Sequence, residues 1–245
     1  MGGATAPFHE FGMVAQVNAE VLAGITLNQL VTPGAPVLYG ACPVRTRLDN
    51  LNDMYGVGEF VHYNQDCTQM ARHYGIPCYS EAGVGDASVP GIQATAEKML
   101  TLAAVPQAGP QYLHYAFGLL ERTNVYCPEQ AILDDAHIGL IKHTLADPKI
   151  EQQGKDQVLA LVREVMDSSQ KTFMYNIPLP SRSSVYVRYP LEDGDAGALS
   201  AAHRKYREIL RRPRKSIPAD LRSDIVRHFP NLLPTNVHLS EETGS

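Results

Sequence analysis

Short apolar runs alternate with longer stretches of helical period over the first 145 residues, and this alternation most constrains the fold. The runs have the length and composition of strands that are buried on both faces, as in parallel sheets; they are residues 36–40, 76–80 and 111–116. The longer stretches carry apolar residues at helical spacing; they are residues 10–31, 59–74, 90–104 and 128–145. Alternation of this kind predicts βαβ units and a parallel sheet.

The number of strands indicates an incomplete barrel. Three strands are clear, and a fourth is possible just before or at residues 4–7. A complete (β/α)8 barrel has eight strands in about 250 residues, whereas this chain of 245 residues holds about four βα units followed by a tail. We therefore expect an α/β fold in which residues 1–150 form the C-terminal half of a (β/α)8 TIM barrel. Residues 151–245 are expected to form a helical and extended C-terminal extension of the same domain.

The predicted extension differs from the barrel in pattern and in charge. A polar helix is expected at 155–166, a β-rich stretch at 173–189, and two further helices at 197–210 and 218–229. From His203 to Arg227 there are nine Lys and Arg residues against three acidic residues. Such a basic segment suits either a solvated helix surface or a docking surface for an acidic partner.

Composition excludes several classes of protein. The formal net charge of -5 gives no indication of nucleic-acid binding, and the apolar runs are shorter than the roughly 18 residues that a membrane span needs. The first ten residues lack the basic and apolar segments of a signal peptide, so we expect a cytoplasmic protein. Four cysteines lie far apart without a C-x-x-C pair, which predicts reduced thiols and no metal site.

Candidate ligand-binding residues lie in the loops that follow the predicted strands, because parallel sheets bind ligands at the carboxyl ends of their strands. In the second of these loops, Glu81 offers a carboxylate and Gly83 allows close approach of the backbone to a ligand. In the third loop, His114 stands at a strand end between aromatic rings. A purely structural role for this histidine is equally consistent with the sequence.

Aromatic residues cluster on the predicted strands and strand ends. They are Tyr39, Tyr79, Tyr112, Tyr115 and Phe117. Each of them suits the core of a sheet, but as a group they also suit a quaternary or tertiary ammonium, because aromatic faces attract cations. No G-x-S-x-G, H-E-x-x-H, P-loop or G-x-G-x-x-G motif occurs, which argues against a serine hydrolase, a zincin, a P-loop NTPase and a dinucleotide enzyme.

Four stretches of the sequence are distinctive: MGGATAP at 1–7, NAEVLAG at 18–24, QLVTPGAPVLYG at 29–40 and QMARHYGIPC at 69–78. Together they closely resemble the trimethylamine methyltransferase family. The resemblance implies a TIM-barrel methyltransferase that moves a methyl group from a methylated amine to the cobalt of a separate corrinoid protein. Some members use pyrrolysine, whereas this chain has ordinary residues throughout its 81–86 loop and resembles the members that act on quaternary amines such as glycine betaine.

The resemblance also implies a set of site residues. His114 and Gly118 match a family motif at a strand end, which favours contact between His114 and the substrate. Together with the strand-end argument, this gives the candidate substrate-binding residues Tyr39, Glu81, Gly83, His114, Tyr115, Phe117 and Glu121. No catalytic residue is assigned. The implied cofactor is a corrinoid (cobalamin) carried by the partner protein, with none bound by this chain.

The chain departs from the family pattern in ways that leave its activity open. In the family the MGGATAP stretch lies in the middle of the protein, so about half of the barrel strands are expected to be absent here. Arg47, Ser88, Gly91 and Ala136 also stand where the family pattern has other residues. The alternatives to an active methyltransferase are therefore a catalytically inactive remnant and an interaction subunit. In either case an oligomer or a complementing N-terminal half would complete the barrel, because a half barrel exposes unpaired sheet edges.

Overall fold

A computed structural model describes residues 1–146, 154–169, 194–213 and 218–229 of the chain. By its internal contacts the chain divides into a large unit, residues 1–207, and a small unit, residues 208–245. The described part is mixed α/β and includes a parallel sheet of three strands. The α/β class predicted from the sequence is therefore confirmed, and the β-rich stretch expected at 173–189 lies outside the described residues.

The helices follow the predicted pattern closely. They are α1 Glu10–Val31, α2 Gly58–Tyr74, α3 Ile92–Ala104, α4 Pro128–Leu145, α5 Gly154–Asp167, α6 Gly194–Leu210 and α7 Ala219–His228. Two ends show why the sequence specifies them. Gly75 ends α2 in the left-handed conformation with φ of 67°, and Pro128 opens α4 at a position where no backbone N–H is required.

Three short strands form the parallel sheet, at the three positions that the apolar runs predict. The strands of the fold are β1 Tyr39–Gly40, β2 Arg45–Thr46, β3 Asp53–Met54, β4 Cys78–Glu81, β5 Tyr112–His114, β6 Leu119–Leu120 and β7 Val125–Tyr126. The parallel sheet has the order β1-β4-β5, with Gly40 opposite Tyr79 and Glu81 opposite His114. β4 is thus the central strand.

Residues 4–7, the candidate fourth strand, form a turn. The backbone N–H groups of Ala4, Thr5 and Ala6 all donate to the carbonyl of Met1, at 3.0–3.2 Å. Only isolated bridges join Gly2 to Ala6 and to Arg45. Hydrogen bonds within the turn use the backbone N–H groups that a strand would offer to a neighbouring strand. The described parallel sheet therefore has three strands, where about four βα units were expected.

Two small hairpins, which the sequence did not predict, lie beyond the carboxyl ends of the outer strands. β2 pairs with β3 and follows β1, while β6 pairs with β7 and follows β5. Each of these strands is two residues long. Strands this short carry too few residues to show a clear alternation of apolar and polar side chains, which explains why the pattern missed them.

The core of the large unit lies between the sheet and the helices. One cluster joins Tyr39 of β1 and Cys78 of β4 to α2 and to the apolar side of α1. A second cluster joins Leu102 of α3 and Ile141 of α4, with Leu113 of β5 packed against it. One face of the parallel sheet is therefore covered by helices.

The small unit is described at residues 208–213 and 218–229. Arg212 pairs with Glu208 at 2.9 Å, and Arg227 pairs with Asp224 on α7 at 3.2 Å. These pairs are exposed, and exposed pairs typically stabilise by about 1 kcal/mol or less. Across the described residues of both units, no helix combines the length and the apolar content that a membrane crossing requires.

Candidate functional site

Side chains of the parallel sheet alternate between the helix-covered face and the opposite face, as the two-residue period of strands requires. In β4, Cys78 packs in the core and the Ser80 hydroxyl bonds to Asn64 of α2. Tyr79 and Glu81 therefore point to the other face. In β5, His114 shares that face because it lies opposite Glu81 in the register. We call this side of the sheet, opposite the helix layer, the site face.

Three side chains with chemically different donor groups meet on the site face. One ligand atom each from Cys42, Glu81 and His114 lies within 4.8 Å of the other two. Glu81 and His114 are neighbours on adjacent strands. Cys42 follows β1 two residues after Gly40, so the strand period places it on the same side. The site face therefore joins a thiol, a carboxylate and an imidazole at the carboxyl edge of the sheet.

The Glu81 carboxyl group is the most unusual member of this cluster. Its side chain is fully buried, and neither carboxylate oxygen has a hydrogen-bond partner of normal geometry among the described residues. Burial raises its pKa to about 7, and the nearby Cys42 thiol lowers that pKa only in part. A buried carboxylate without donors is costly to ionise. Glu81 is therefore suited to a cationic ligand that supplies charge without needing a hydrogen bond.

Aromatic rings surround the imidazole of His114. Tyr115 stacks on it with ring centroids 3.7 Å apart, and Tyr79 meets it edge-on at 5.9 Å. Tyr112 lies at 6.1 Å. The backbone of Tyr115 has a positive φ of 64°, which residues other than glycine rarely adopt. The strained backbone of Tyr115 therefore coincides with the stacking of its ring on the imidazole.

The Cys42 sulfur and the Tyr79 hydroxyl are partly desolvated by their surroundings, although the Cys42 side chain remains exposed. The Tyr79 hydroxyl lies 3.9 Å from the Cys42 sulfur. Burial, and then the proximity of Glu81, raises the pKa of the Cys42 thiol to about 12. Burial also raises the pKa of the Tyr79 hydroxyl to about 12, with Cys42 adding to the effect. Without a bound cation, both groups therefore hold their protons at neutral pH.

Asn64 of α2 connects the helix layer to the central strand. Its Oδ1 accepts a hydrogen bond from the backbone N–H of Glu81 at 3.0 Å and another from the Ser80 hydroxyl at 2.9 Å. Its Nδ2 donates to the carbonyl of Phe60 at 2.9 Å. Because Asn64 is itself buried, these bonds fix the end of β4 relative to α2.

A buried ion pair joins the loops on either side of the site. The Lys98 ammonium lies 3.0 Å from the carboxylate of Asp134, and both side chains are fully buried. Lys98 also donates to the carbonyl oxygens of Gly83 and Leu119. The Asp134 carboxylate accepts from the backbone N–H of Gly118 at 2.8 Å. The pair therefore ties the loop after β4 to the loop after β5.

Two further carboxylates hold the loop after β4 by accepting from backbone N–H groups. Asp86 accepts from the N–H groups of Tyr55 and Gly56 at 2.8 and 3.0 Å. Glu97 of α3 accepts from those of Asp86 and Ala87 at 2.7 and 3.1 Å. Asp86 thus anchors a neighbouring segment, and both carboxylates serve the shape of the loop.

Gly83 occupies a tight position in the same loop. Its φ is +87°, and a Cβ at this position would lie 2.9 Å from the carbonyl oxygen of Ala116. Gly34 has a similar φ of +82°, but a Cβ there would meet nothing within 4 Å. The two glycines share a backbone conformation that favours glycine and differ in the space around them.

Gly83→Ala should lower the free energy of unfolding by about 1–3 kcal/mol, since it adds a clash to the conformational cost. Gly34→Ala is the matched control and should cost less, because only the conformational cost applies. Urea denaturation followed by circular dichroism measures both. Equal losses in the two variants would show that the close approach to Ala116 contributes nothing.

The structure brings together three of the seven candidate residues, namely Glu81, His114 and Tyr115. Tyr39 lies on the opposite face, where its hydroxyl donates to Asn18 of α1 at 2.9 Å. Gly83 lies in the tied loop, Phe117 exposes 46% of its surface, and Glu121 begins the short helical turn Glu121–Thr123 after β6. Successive residues of a strand point to opposite faces, so Tyr39 faces the helices whereas the next residue, Gly40, faces the site.

Sequence reasoning missed the role of Cys42 and of the Lys98–Asp134 pair. The two-residue period, counted from Gly40, would have placed Cys42 on the site face. No local pattern separates a buried lysine on α3 from an exposed one, since most lysines on amphipathic helices face solvent. The buried pair becomes visible only when α3 and α4 are packed together.

Comparison with known proteins identifies related sequences. A family model described as trimethylamine methyltransferase (MTTB) matches residues 1–174. A glycine betaine methyltransferase from Desulfitobacterium hafniense is 32% identical over 154 residues, which cover 63% of this chain and 32% of that protein. The trimethylamine methyltransferase MttB1 from Methanosarcina mazei is 29% identical over 234 residues, covering 92% of this chain and 47% of that protein. The chain thus spans about half or less of the length of these relatives.

Proposed function

This chain belongs to the trimethylamine methyltransferase family, and from that membership we propose that it takes part in transferring a methyl group from a methylated amine to a corrinoid protein. The observation that carries the proposal is the buried, unpartnered carboxylate of Glu81 beside the rings of Tyr79, His114 and Tyr115. A methylated ammonium fits this surrounding. Aromatic faces attract a cation, and a quaternary nitrogen has no N–H that would need an acceptor.

The residues of the site face would position the amine for reaction. Glu81 balances the charge on nitrogen, while the rings of Tyr79 and Tyr115 confine its methyl groups and exclude water. The reduced cobalt of the partner's corrinoid supplies the nucleophile that accepts the methyl group. As the carbon–nitrogen bond breaks, its electron pair stays on nitrogen, so a quaternary ammonium leaves as a neutral tertiary amine and needs no proton. The product amine then lacks the positive charge by which the site residues hold the substrate, which favours product release.

We also propose that the three-stranded sheet is part of a (β/α)8 barrel and that the site face is its inner surface. In the described part of the chain, the helices of these clusters pack on the opposite face of the sheet, as in a barrel whose helices form the outer ring. Strands beyond those of the described residues would complete the barrel, supplied for example by another chain or by another part of a longer protein. This proposal accounts for the coverage of about half of the relatives, such as the 47% of MttB1.

The proposal places the reaction in the cytoplasm. All four cysteines, two of them buried, are free thiols in the structure. Free thiols agree with a reducing compartment. Reduced corrinoid cobalt also requires such surroundings, so the compartment and the chemistry are mutually consistent.

Tyr115→Leu should weaken binding of a methylated amine, because the ring stacked on His114 also offers a face to the cation. The expected loss is about 2- to 30-fold in affinity, the range of a cation–π contact. Isothermal titration with glycine betaine and with trimethylamine, in the presence of a chelator, measures the effect. Tyr74→Leu is the matched control, since Tyr74 ends α2 before β4 begins and lies on the helix side of the sheet against Tyr39. Equal weakening in both variants would contradict the proposed site.

Methyl transfer itself is tested by mixing the chain with a methylated amine and a corrinoid protein in its reduced cobalt state. The absorption spectrum of the methylated corrinoid is the readout, and a full-length relative is the positive control. In one outcome, the chain alone binds the amine without transferring its methyl group, and methyl transfer returns when the other barrel half is added. This result would support the role of an interaction subunit. Absence of both binding and methyl transfer, with the relative active, would overturn the proposed function.

A further inference from the structure

We propose that Cys42, Glu81 and His114 form a binding site for one divalent metal ion of the zinc class. The proposal rests on the arrangement of these side chains and goes beyond methyl transfer. Because it uses the Glu81 carboxylate, the metal ion and a methylated ammonium are alternative occupants of the site face. It also departs from the expectation, based on cysteine spacing, that the chain holds no metal. The spacing argument considered cysteines alone, whereas the fold combines one cysteine with a carboxylate and an imidazole from two other strand ends.

The donor set suits zinc. Zinc accepts thiolate sulfur, imidazole nitrogen and carboxylate oxygen, and catalytic zinc sites use three protein ligands with a fourth position open. Hard cations such as Mg²⁺ and Ca²⁺ prefer oxygen alone. One sulfur, one oxygen and one nitrogen therefore select zinc or a chemically similar ion.

The distances allow a single ion to reach all three groups. The ligand atoms lie within 4.8 Å of one another, whereas tetrahedral bonds of about 2.0–2.3 Å place ligands roughly 3.3–3.8 Å apart. Metal binding would therefore draw the groups together by about 1 Å, relative to the limit of 4.8 Å. Glu81 and His114 are fixed on paired strands, while Cys42 is exposed and outside any strand. Rotation of the Cys42 side chain is the movement that closes the site.

Unpartnered atoms provide an independent reason to expect a ligand here. Both oxygens of the fully buried Glu81 and the buried Nδ1 of His114 lack hydrogen-bond partners within the part of the chain that the structure describes. Buried polar atoms are normally paired. A metal ion would bind these atoms at once. Its two positive charges would balance the Glu81 carboxylate and the Cys42 thiolate, with the thiol proton released to solvent.

The test measures metal binding directly, with the purified chain first stripped by a chelator and no amine present. Titration with Zn²⁺ by calorimetry should give one ion per chain. Titration with Co²⁺ should give an absorption band for charge transfer from a thiolate. Cys42→Ser should remove the band and weaken zinc binding by about 100-fold or more, since loss of a ligand exceeds the 10- to 100-fold typical of its supporting residues. Glu81→Gln and His114→Ala should weaken binding to a similar extent.

Cys127→Ser is the matched control. Cys127 is a partly buried thiol beside Glu129, and Glu129 already pairs with His203 at 2.7 Å. Its replacement should leave zinc affinity and the cobalt band unchanged. Because Cys42 is exposed, its serine variant should keep the native circular dichroism spectrum. Absence of saturable zinc binding, or binding that Cys42→Ser leaves intact, would overturn the metal site. Neither result bears on amine binding, which is measured with the chelator present.

Discussion

Replacing Lys98 by methionine should lower the free energy of unfolding by about 3–5 kcal/mol, the cost of leaving one partner of a buried ion pair alone. The Lys98 ammonium and the Asp134 carboxylate are both fully buried. Burial lowers the pKa of Lys98 and raises that of Asp134, and the attraction between the two groups opposes both shifts. Methionine keeps most of the volume but leaves the Asp134 charge without its cation. Urea denaturation followed by circular dichroism measures the loss.

Two controls separate charge from packing. Lys98→Met combined with Asp134→Asn removes both charges but keeps an acceptor for the Gly118 N–H, and it should recover much of the lost stability because no buried charge is left without its partner. Arg47→Ala removes an exposed pair with Asp49 at 2.6 Å and should leave the stability almost unchanged. A double variant no more stable than Lys98→Met alone would contradict the account. The contacts of Lys98 with backbone carbonyls would then be the main contribution.

Glu81→Gln should raise the free energy of unfolding of the metal-free protein by up to about 3 kcal/mol above pH 7. Burial raises the pKa of Glu81 from 4.5 to about 7 in the folded chain. Between these values the folded state holds a proton that the unfolded state has released. The stability from this group is therefore complete below about pH 4.5 and is lost as the pH rises through about 7. Glutamine has no proton to lose, so its variant should lack this decline.

The measurement is urea denaturation across this pH window, with a chelator present. Glu129→Gln is a control of opposite sign. In the wild type, the hydrogen bond that Glu129 accepts from His203 lowers the pKa of Glu129 in the folded state. The stability that this bond contributes is therefore present above pH 4.5 and lost as the pH falls. If wild type and Glu81→Gln show the same pH dependence, the buried carboxyl group is not the source. A gain in stability with a loss of ligand binding would mark Glu81 as a residue kept for function.

The helices and the three parallel strands were predictable because each has a strong local signal. Helix α1 is 22 residues long and packs Val17, Val21 and Ile25 against the core. Gly75 and Pro128 mark helix ends by their own backbone chemistry. The turn at residues 4–7 was not predictable from period, since three backbone donors converge on one carbonyl. Hairpins of two-residue strands likewise depend on contacts between segments.

The site was predictable in part. Glu81 and His114 follow from the rule that ligands bind at strand ends, and the structure places them opposite each other. Tyr39 was assigned to the same group because it is also at a strand end, but the two-residue period turns it toward α1. The environment that gives Glu81 its raised pKa depends on the packing of distant segments. The sequence identifies these residues, but their burial follows only from the fold.

The bonds that Asn64 makes to β4 determine which residues the site contains. A slip of β4 by one residue would exchange the two faces of the strand, sending Cys78 and Ser80 toward the ligand and Glu81 into the helix layer. The neighbouring strands are only two and three residues long, so the ladder alone offers few bonds to oppose such a slip. Asn64 fixes the alignment from outside the sheet, since its Oδ1 accepts from Ser80 and Glu81 together. The choice of side chains on the site face is thus set by the amide of Asn64, which lies on a helix of the opposite face.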